Sequence, residues 1–425
     1  SKRIKDVPVP VIGHEIGQYQ SFPNFNEISK YTGVLRARNL ETFMQRLKDK
    51  DMLEQADEFV QASGKLAVIC YREEIETALR TPGFGGFQLL DIKDFPGQGT
   101  ALVGILDAFM DSKGFIEPEE WREFCSDIVL LARIPKYTYF AGEKFKASVE
   151  IAHYGNRNIE WAVVEWNLFN STYESIAHGE LSPTSIKQGG ITSLGSIEIS
   201  TDSIDRPDKL VLKLRIKNSE IVNHYPIWVY PSISDNRIPN DVRVCYDFND
   251  ETRKLLEDGY KVLLFPDSRK LSNCVEGTFV SDFWCYPMFR DICKNMGLKP
   301  SPGTLGILCN PKHPIFKEFP TEFHSNWQWW SIVTNSYPII LDNMPSDFRP
   351  IIQVIDNFER NHKLGLLFEV RIGKGRLLVC ASDLTRCMDR PEAGQFRHSL
   401  LKYMCSDEFN PKTTMDISQL EQILG

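Results

Sequence analysis

The spacing of apolar residues changes twice along this chain, and that change limits what it can fold into. In "EKFKASVEIAHYG", Phe145, Ala147, Val149 and Ile151 fall on alternate positions, the mark of a strand buried on one face. "IEWAVVEWNLFN" and "DKLVLKLRIKNS" continue the alternation between turn-rich breaks such as "HYGNRN". Strands so spaced over about 100 residues imply an antiparallel β-sandwich of the immunoglobulin-like kind, here residues 127–235, as a structural or spacing module.

On either side of that segment, strands alternate with helices. In residues 1–126, "VPVIGHEI" reads as a short buried strand. "NLETFMQRLKDKDM" and "LEQADEFVQASGKLAVICYREEIETALR" carry apolar residues at three-to-four spacing, and "GFGGFQLLDIKDF" returns to strand. That is βαβ texture, which implies parallel strands. "IEPEEWREFCSDIVLL" predicts a further helix with Pro118 near its start. In residues 236–425, "VRVCYDF" and "YKVLLFPD" flank a helix over "NDETRKLLEDG", capped by Asn249 or Asp250 and stopped at Gly259. Strands over "GTLGILC", "IIQVIDNF", "LGLLFEVRIG" and "GRLLVCASDL" follow, then a closing helix near 394–404. This pattern predicts a doubly wound α/β domain. A length of 425 residues accommodates three domains at about 150 each.

Composition narrows the function classes. A net charge of -8, with Lys and Arg scattered, supplies no electrostatic footprint for nucleic acid. No apolar run approaches the ~20 residues of a membrane span, and the first residues lack the apolar region of a signal peptide. Ten cysteines show neither CxxC pairs nor the dense spacing of a disulfide scaffold, so most are expected to be ordinary buried thiols. No cofactor or metal is expected. "DSKG" at 111–114 lacks the alternating oxygen ligands of a calcium loop and reads as a tight turn.

The chemistry gathers near the first strand. Glu15 ends that strand, and Asp91 and Asp94 lie in or just beyond the next; parallel α/β barrels collect catalytic groups at such strand ends. His14, Gln18, Tyr19 and Gln88 are types that hydrogen-bond hydroxyl-rich ligands, and the aromatics Phe22, Phe25, Phe84, Phe87 and Phe95 suit stacking on sugar faces. The alternative is that Glu15 caps the following turn and the aromatics are core, since a lone His-Glu pair is a weak signal.

The series "HEIGQYQSFPNFNEISKYTGVLRARNLE" followed by "ASGKLAVICYREEIETALRTPGFGGFQLLDIKDFPGQGTALVGILDAFMDSKGFI" resembles the carboxyl-terminal part of the catalytic (β/α)8 TIM barrel of glycoside hydrolase family 2, over about residues 7–126. That family includes β-galactosidases, β-glucuronidases and β-mannosidases. The resemblance implies a retaining β-glycosidase, with Glu15 in the place of the nucleophile on the seventh barrel strand. His14 and Gln18 would hold its carboxylate, and Gln88, Asp91 and Asp94 would line the sugar subsite. It also implies that the acid/base Glu and six strands lie outside this sequence, so that the chain is a carboxyl-terminal piece with an incomplete, inactive barrel. Association with itself or with the remaining part, and export from the cytoplasm, are expected on the same ground. Glu27, Glu41, Glu54, Glu73 and Glu74 fall in helical patterns and read as solvated faces.

The third segment resembles the class I glutamine amidotransferase-like domain that some family members append. Neither Cys245 nor Cys285 has the flanking glycines of a nucleophile elbow, and His313 and His324 match no triad pattern, so a non-catalytic domain is expected. "TEFHSNWQWWSIV" places Trp327, Trp329 and Trp330 beside His324, Asn326 and Gln328, suited either to sugar contact or to packing at an interface. Two readings stay open for the whole: a glycoside hydrolase with a carbohydrate substrate, or a carbohydrate-binding or scaffolding protein without catalysis.

Overall fold

The computed structural model describes residues 4, 6–233 and 237–425. Among them no helix is long and apolar enough to cross a membrane, and no sheet closes into a barrel. The fold is mixed α/β with several separate sheets.

The first stretch runs β1 (Val11–Gly17), α1 (Arg38–Lys48), α2 (Ala56–Leu79), β2 (Phe84–Leu90) and α3 (Pro118–Phe124). Leu40, Phe43 and Leu47 form the buried stripe that makes α1 an amphipathic helix. α2 spans about 36 Å at about 1.5 Å per residue, with Asp57 and Glu58 in its first turn, where the helix dipole favours acids. β1 and β2 pair in parallel, as expected, from Val11 opposite Phe84 to Gly17 opposite Leu90. The strand is less buried than its sequence suggests. Val9 is 63% and Ile12 57% exposed, because β2 is the one strand paired with β1 among the described residues. α3 starts at Pro118 with a Glu117–Glu120 capping box but stops at Phe124. The "DIVLL" run expected as helix supplies strand β3 instead, its branched residues packing into a sheet.

Two compact units divide the chain. The first comprises residues to Gln18, Val68–Ile92 and Gly114–Ser232; the second comprises Tyr19–Ala67, Lys93–Lys113 and Ile233–Gly425. Residues of the stretch 1–126 contribute to both units.

In the first unit the sandwich is built of β3 (Ile128–Arg133), β4 (Thr138–Phe140), β5 (Lys144–His153), β6 (Ile159–Ala162), β7 (Val164–Phe169), β8 (Ser175–Glu180), β9 (Thr184–Ile186), β10 (Gly190–Ser200), β11 (Asp208–Ile216) and β12 (Val222–Tyr230). One sheet has the order β10-β5-β3, the other β4-β12-β11-β7-β8, and β6 pairs with β9. Pairing is antiparallel except between β4 and β12. Phe145, Ala147, Val149 and Ile151 meet Leu210, Leu212, Leu214 and Ile227 in one core, so the alternation in the sequence becomes the inner faces of two sheets. The carboxyl half of α2 is joined to β12 by a buried ionic network. Glu76, 1% exposed, accepts from Arg72 Nε at 3.1 Å, Tyr225 Oη at 3.1 Å and Asn223 Nδ2 at 3.3 Å, and also from Arg80.

The second unit holds β13 (Val242–Cys245), α4 (Asp250–Glu257), β14 (Lys261–Leu264), α5 (Tyr286–Asn295), β15 (Thr304–Cys309), α6 (Trp330–Thr334), β16 (Ile339–Ile340), β17 (Ile352–Asp356), β18 (Lys363–Ile372), β19 (Gly375–Cys380), α7 (Pro391–Cys405), β20 (Thr414–Met415) and α8 (Ile417–Leu424). Asn249 caps α4 by accepting from Thr252 N at 3.0 Å. The sheet order is β13-β14-β19-β18-β17-β15, with β16 and β20 also on β18. Only part of the doubly wound expectation holds. β13, β14 and β19 run parallel, whereas β18 is antiparallel to β19 and β17, and β17 to β15. For β18 and β19 the reason is connection length. β18 and β19 are joined through Gly373, at φ +57°, and Lys374, a hairpin, while a parallel pair needs a crossover of roughly a dozen residues. Val262, Leu264, Phe368, Val370, Leu377 and Val379 form the core under this sheet.

Candidate functional site

Glu15 stands on an irregularity in β1. The register with β2 shifts between Gly13 and Ile16, and Glu15 takes the left-handed backbone region at φ +53°. Such a bulge re-aims side chains, and a non-glycine residue there carries backbone strain of a kind that collects at functional positions. The next turn is fixed by Gly17, at φ +92°, whose missing Cβ would lie 2.3 Å from the Tyr71 ring. Gly17 N donates to Glu74 Oε2 at 2.8 Å, and Tyr71 Oη reaches Asp91 O at 3.4 Å, so α2 holds the ends of both strands.

Three predicted residues are brought together at this place. His14 Nδ1 lies 2.8 Å from Gln88 Oε1; an amide oxygen only accepts, so Nδ1 carries the proton of that bond. His14 Nε2 then faces Glu15 Oε1 at 3.4 Å. The side chains of His14 and Glu15 are 75% and 50% exposed, so the pair adds little stability. What it provides is a carboxylate open to solvent beside an imidazole whose ring is oriented by the neighbouring strand. Gln18, at φ +67°, donates from Nε2 to Glu15 O at 2.7 Å and closes the turn. Asp91, half-buried one residue beyond β2, accepts from Ile92 N.

Tyr19 and Asp94 belong to the second unit. Tyr19 makes a bridge to Phe283. Asp94 is not an exposed sugar ligand: it is 2% exposed, and its Oδ1 accepts from Lys113 Nζ at 2.6 Å and Gly104 N at 2.9 Å. Burial pushes its carboxyl up, against the pull of Lys113.

The same unit contains an acid that sequence reasoning placed on a solvated face. Glu27 is 2% exposed in a short 3-10 helix, Phe25–Lys30. Burial, reinforced by Asp94 and Asp107, raises its pKa from 4.5 to about 7 against the opposing pull of Lys113 and Lys30. Asp107 accepts from Lys30 and from Phe109 N and Asp111 N; these bonds outweigh its burial and hold it below the usual carboxylate range. "DSKG" is thus more than a turn: Asp111 accepts from Lys30 Nζ at 2.7 Å, Ser112 bridges to Leu106, and Lys113 is the buried cation of the cluster. No spacing rule marks Glu27; Asn24 three positions earlier makes it look like an ordinary first-turn acid.

Burial raises the thiols of Cys245 and Cys285, and neither hydrogen-bonds a histidine among the described residues. His313 lines a groove of about 930 Å³ with Glu369, Arg349 and Lys412. Its Nδ1 accepts from Ile315 N, and burial lowers its pKa. Of the three tryptophans, Trp329 is core, 0% exposed among Phe316, Phe319 and Phe396, Trp327 is half-buried, and Trp330 is exposed. Of the ten thiols, Cys309, Cys380 and Cys387 are fully buried, Cys405 is exposed, and the rest are half-buried.

Two family models match the chain: Domain of unknown function (DUF8487) over residues 243–425, and Domain of unknown function (DUF8488) over residues 143–231. No curated protein matches it. Among solved structures, an exo-chitosanase of Amycolatopsis orientalis is 13% identical over 41% of this chain and 19% of its own, with a TM-score of 0.29. A β-glucosidase of Listeria innocua is 13% identical over 25% of this chain and 16% of its own, at 0.19. An alkylpurine DNA glycosylase of Pseudomonas fluorescens is 12% identical over 25% of this chain and 31% of its own, at 0.21. The chain therefore spans less than a third of each of these proteins, and likenesses this low carry no argument about activity.

Proposed function

We propose that this chain acts on carbohydrate and that Glu15 is the nucleophile of a retaining β-glycoside hydrolysis. The observation that carries this reading is the exposed Glu15 carboxylate at the carboxyl end of a parallel strand, held in a left-handed bulge beside His14, which Gln88 orients. In this reaction a Glu15 oxygen attacks the anomeric carbon, and the bond to the leaving oxygen breaks as that oxygen takes a proton from a second carboxyl. Water then attacks the glycosyl ester and frees Glu15. His14 Nε2, 3.4 Å from Glu15 Oε1, holds the carboxylate in place beside the strand end. Gln88 and Asp91 offer hydrogen bonds to sugar hydroxyls.

Retaining hydrolysis needs its proton donor about 5 Å from the nucleophile. Among the described residues the ion-pair partner of Glu15 is His14, not a group bridging to another acid. That favours, as the second reading, carbohydrate binding without turnover. The test is hydrolysis of a panel of 4-nitrophenyl β-glycosides by the longest natural polypeptide containing this sequence, wild type and Glu15→Ala, with azide added to the variant. Loss of turnover, with azide giving an α-glycosyl azide, supports the nucleophile. Equal turnover in both proteins refutes it, and sugar binding with no turnover in either leaves the binding reading.

A further inference from the structure

The parallel strands of the second unit end at a crevice that the Glu15 reading does not use. β13 is followed directly by Tyr246 and β14 by Phe265, and their rings stack with centroids 5.9 Å apart at 22°. Phe265 is 6% exposed, whereas Tyr246 keeps 52% of its surface in solvent. Beyond β19, Leu384, Thr385 and Met388 complete a cavity of about 240 Å³, and α7 contributes Arg397. In open α/β sheets, ligands bind outside the carboxyl ends of parallel strands, and all three parallel strands deliver residues here.

Arg397 is the cation of the lining. Three cations of nearby loops are neutralised locally: Arg269 by Asp267 at 2.7 Å, Arg386 by Asp383 at 3.0 Å, and Lys270 by Asp247. Arg397 is half-buried, and its side chain has no hydrogen bond, ion pair or ring contact among the described residues. A guanidinium stays charged at any working pH, and one drawn partly out of water without a counter-charge calls for an anion, which its planar fork binds in two-pronged fashion. The rest of the lining is apolar or aromatic apart from Thr385, whose hydroxyl donates to Asp383. The volume lies below the range of about 300–1,000 Å³ typical of larger ligands and so suits a single ring.

We propose that this crevice binds a small anion carried on a planar ring, the ring lying against Tyr246 and the acid group paired with Arg397. The probes are benzoate, acetate and benzyl alcohol, titrated into the full chain by calorimetry and ligand-observed NMR. Benzoate should bind the wild type at least tenfold more tightly than either acetate or benzyl alcohol. Arg397→Gln should weaken benzoate at least tenfold and leave benzyl alcohol unchanged; Tyr246→Ala should weaken both ring compounds at least threefold. Benzoate binding no more tightly than acetate overturns the proposal, as does unchanged benzoate affinity in Arg397→Gln. Tyr246→Ala alters an exposed side chain and decides independently of any folding defect at Arg397: unchanged benzoate affinity there also overturns it.

Discussion

Glu27→Gln should make the protein clearly more stable at pH 8 and only slightly more stable at pH 5. Glu27 is 2% exposed, and burial with Asp94 and Asp107 nearby raises its pKa from 4.5 to about 7. A group whose folded pKa lies above its unfolded value contributes fully below the unfolded value, and that contribution is lost as pH rises through the folded one. The window here runs from about 4.5 to about 7. At about 1.36 kcal/mol per pKa unit, ionised Glu27 costs the fold at most about 3 kcal/mol at pH 8. Glutamine keeps the shape without the charge and removes most of that cost, less its lost attraction to Lys113 and Lys30. For a body of more than 200 residues, at roughly 2 °C per kcal/mol, the melting temperature should rise by about 6 °C at pH 8. Thermal unfolding of both proteins in unit steps from pH 5 to pH 8 reads this difference, and hydrogen exchange over residues 19–67 and 93–113 localises it. Because a chain with two compact units need not unfold in one step, the pH dependence of the difference is the readout rather than either melting temperature alone. An equal difference at pH 5 and pH 8, or a variant less stable at pH 8, would refute the reasoning.

Two further substitutions test how the strand ends are held. Glu76→Ala leaves Arg72 and Arg80 without their shared buried carboxylate and should destabilise the first unit by about 3–5 kcal/mol, read by denaturant unfolding; a change below about 1 kcal/mol would contradict the network. Gly17→Ala forces a methyl group to within 2.3 Å of the Tyr71 ring at φ +92° and should cost at least about 1–3 kcal/mol. Its carbohydrate binding should fall with the displaced turn, and a stable variant that binds normally would show that the turn does not position Glu15.

Most local patterns survived the passage from sequence to structure, and the parallel pairing of β1 with β2 did too, whereas other long-range arrangements did not. The alternation at Phe145–Ile151 and the cap and stop at Asn249 and Gly259 depend on neighbours a few residues away, and the structure has them as read. The direction of β18 depends on how Gly373 and Lys374 turn the chain. Two strands nearly touching in sequence, "LGLLFEVRIG" and "GRLLVCASDL", carried that hairpin signal. The end of α3 was missed because "DIVLL" fits a buried helix as readily as a strand until its sheet partners are known. Within the site, His14, Glu15 and Gln88 were legible because they lie at the ends of neighbouring parallel strands. Asp94 and Glu27 were not, since what buries them is a tertiary arrangement with Lys113, some 19 residues from one and 86 from the other, that leaves no periodic trace.

Retaining hydrolysis by this chain requires Glu15 to form a bond to sugar. Incubating the longest natural polypeptide with 2-deoxy-2-fluoro-β-glycosides bearing dinitrophenolate leaving groups, followed by peptide mass spectrometry, tests it directly, because the fluorine slows release of a glycosyl ester more than its formation. A single glycosyl adduct is expected on the peptide containing Glu15, absent from Glu15→Ala. An adduct on another carboxylate, or hydrolytic turnover that Glu15→Ala leaves intact, would contradict it.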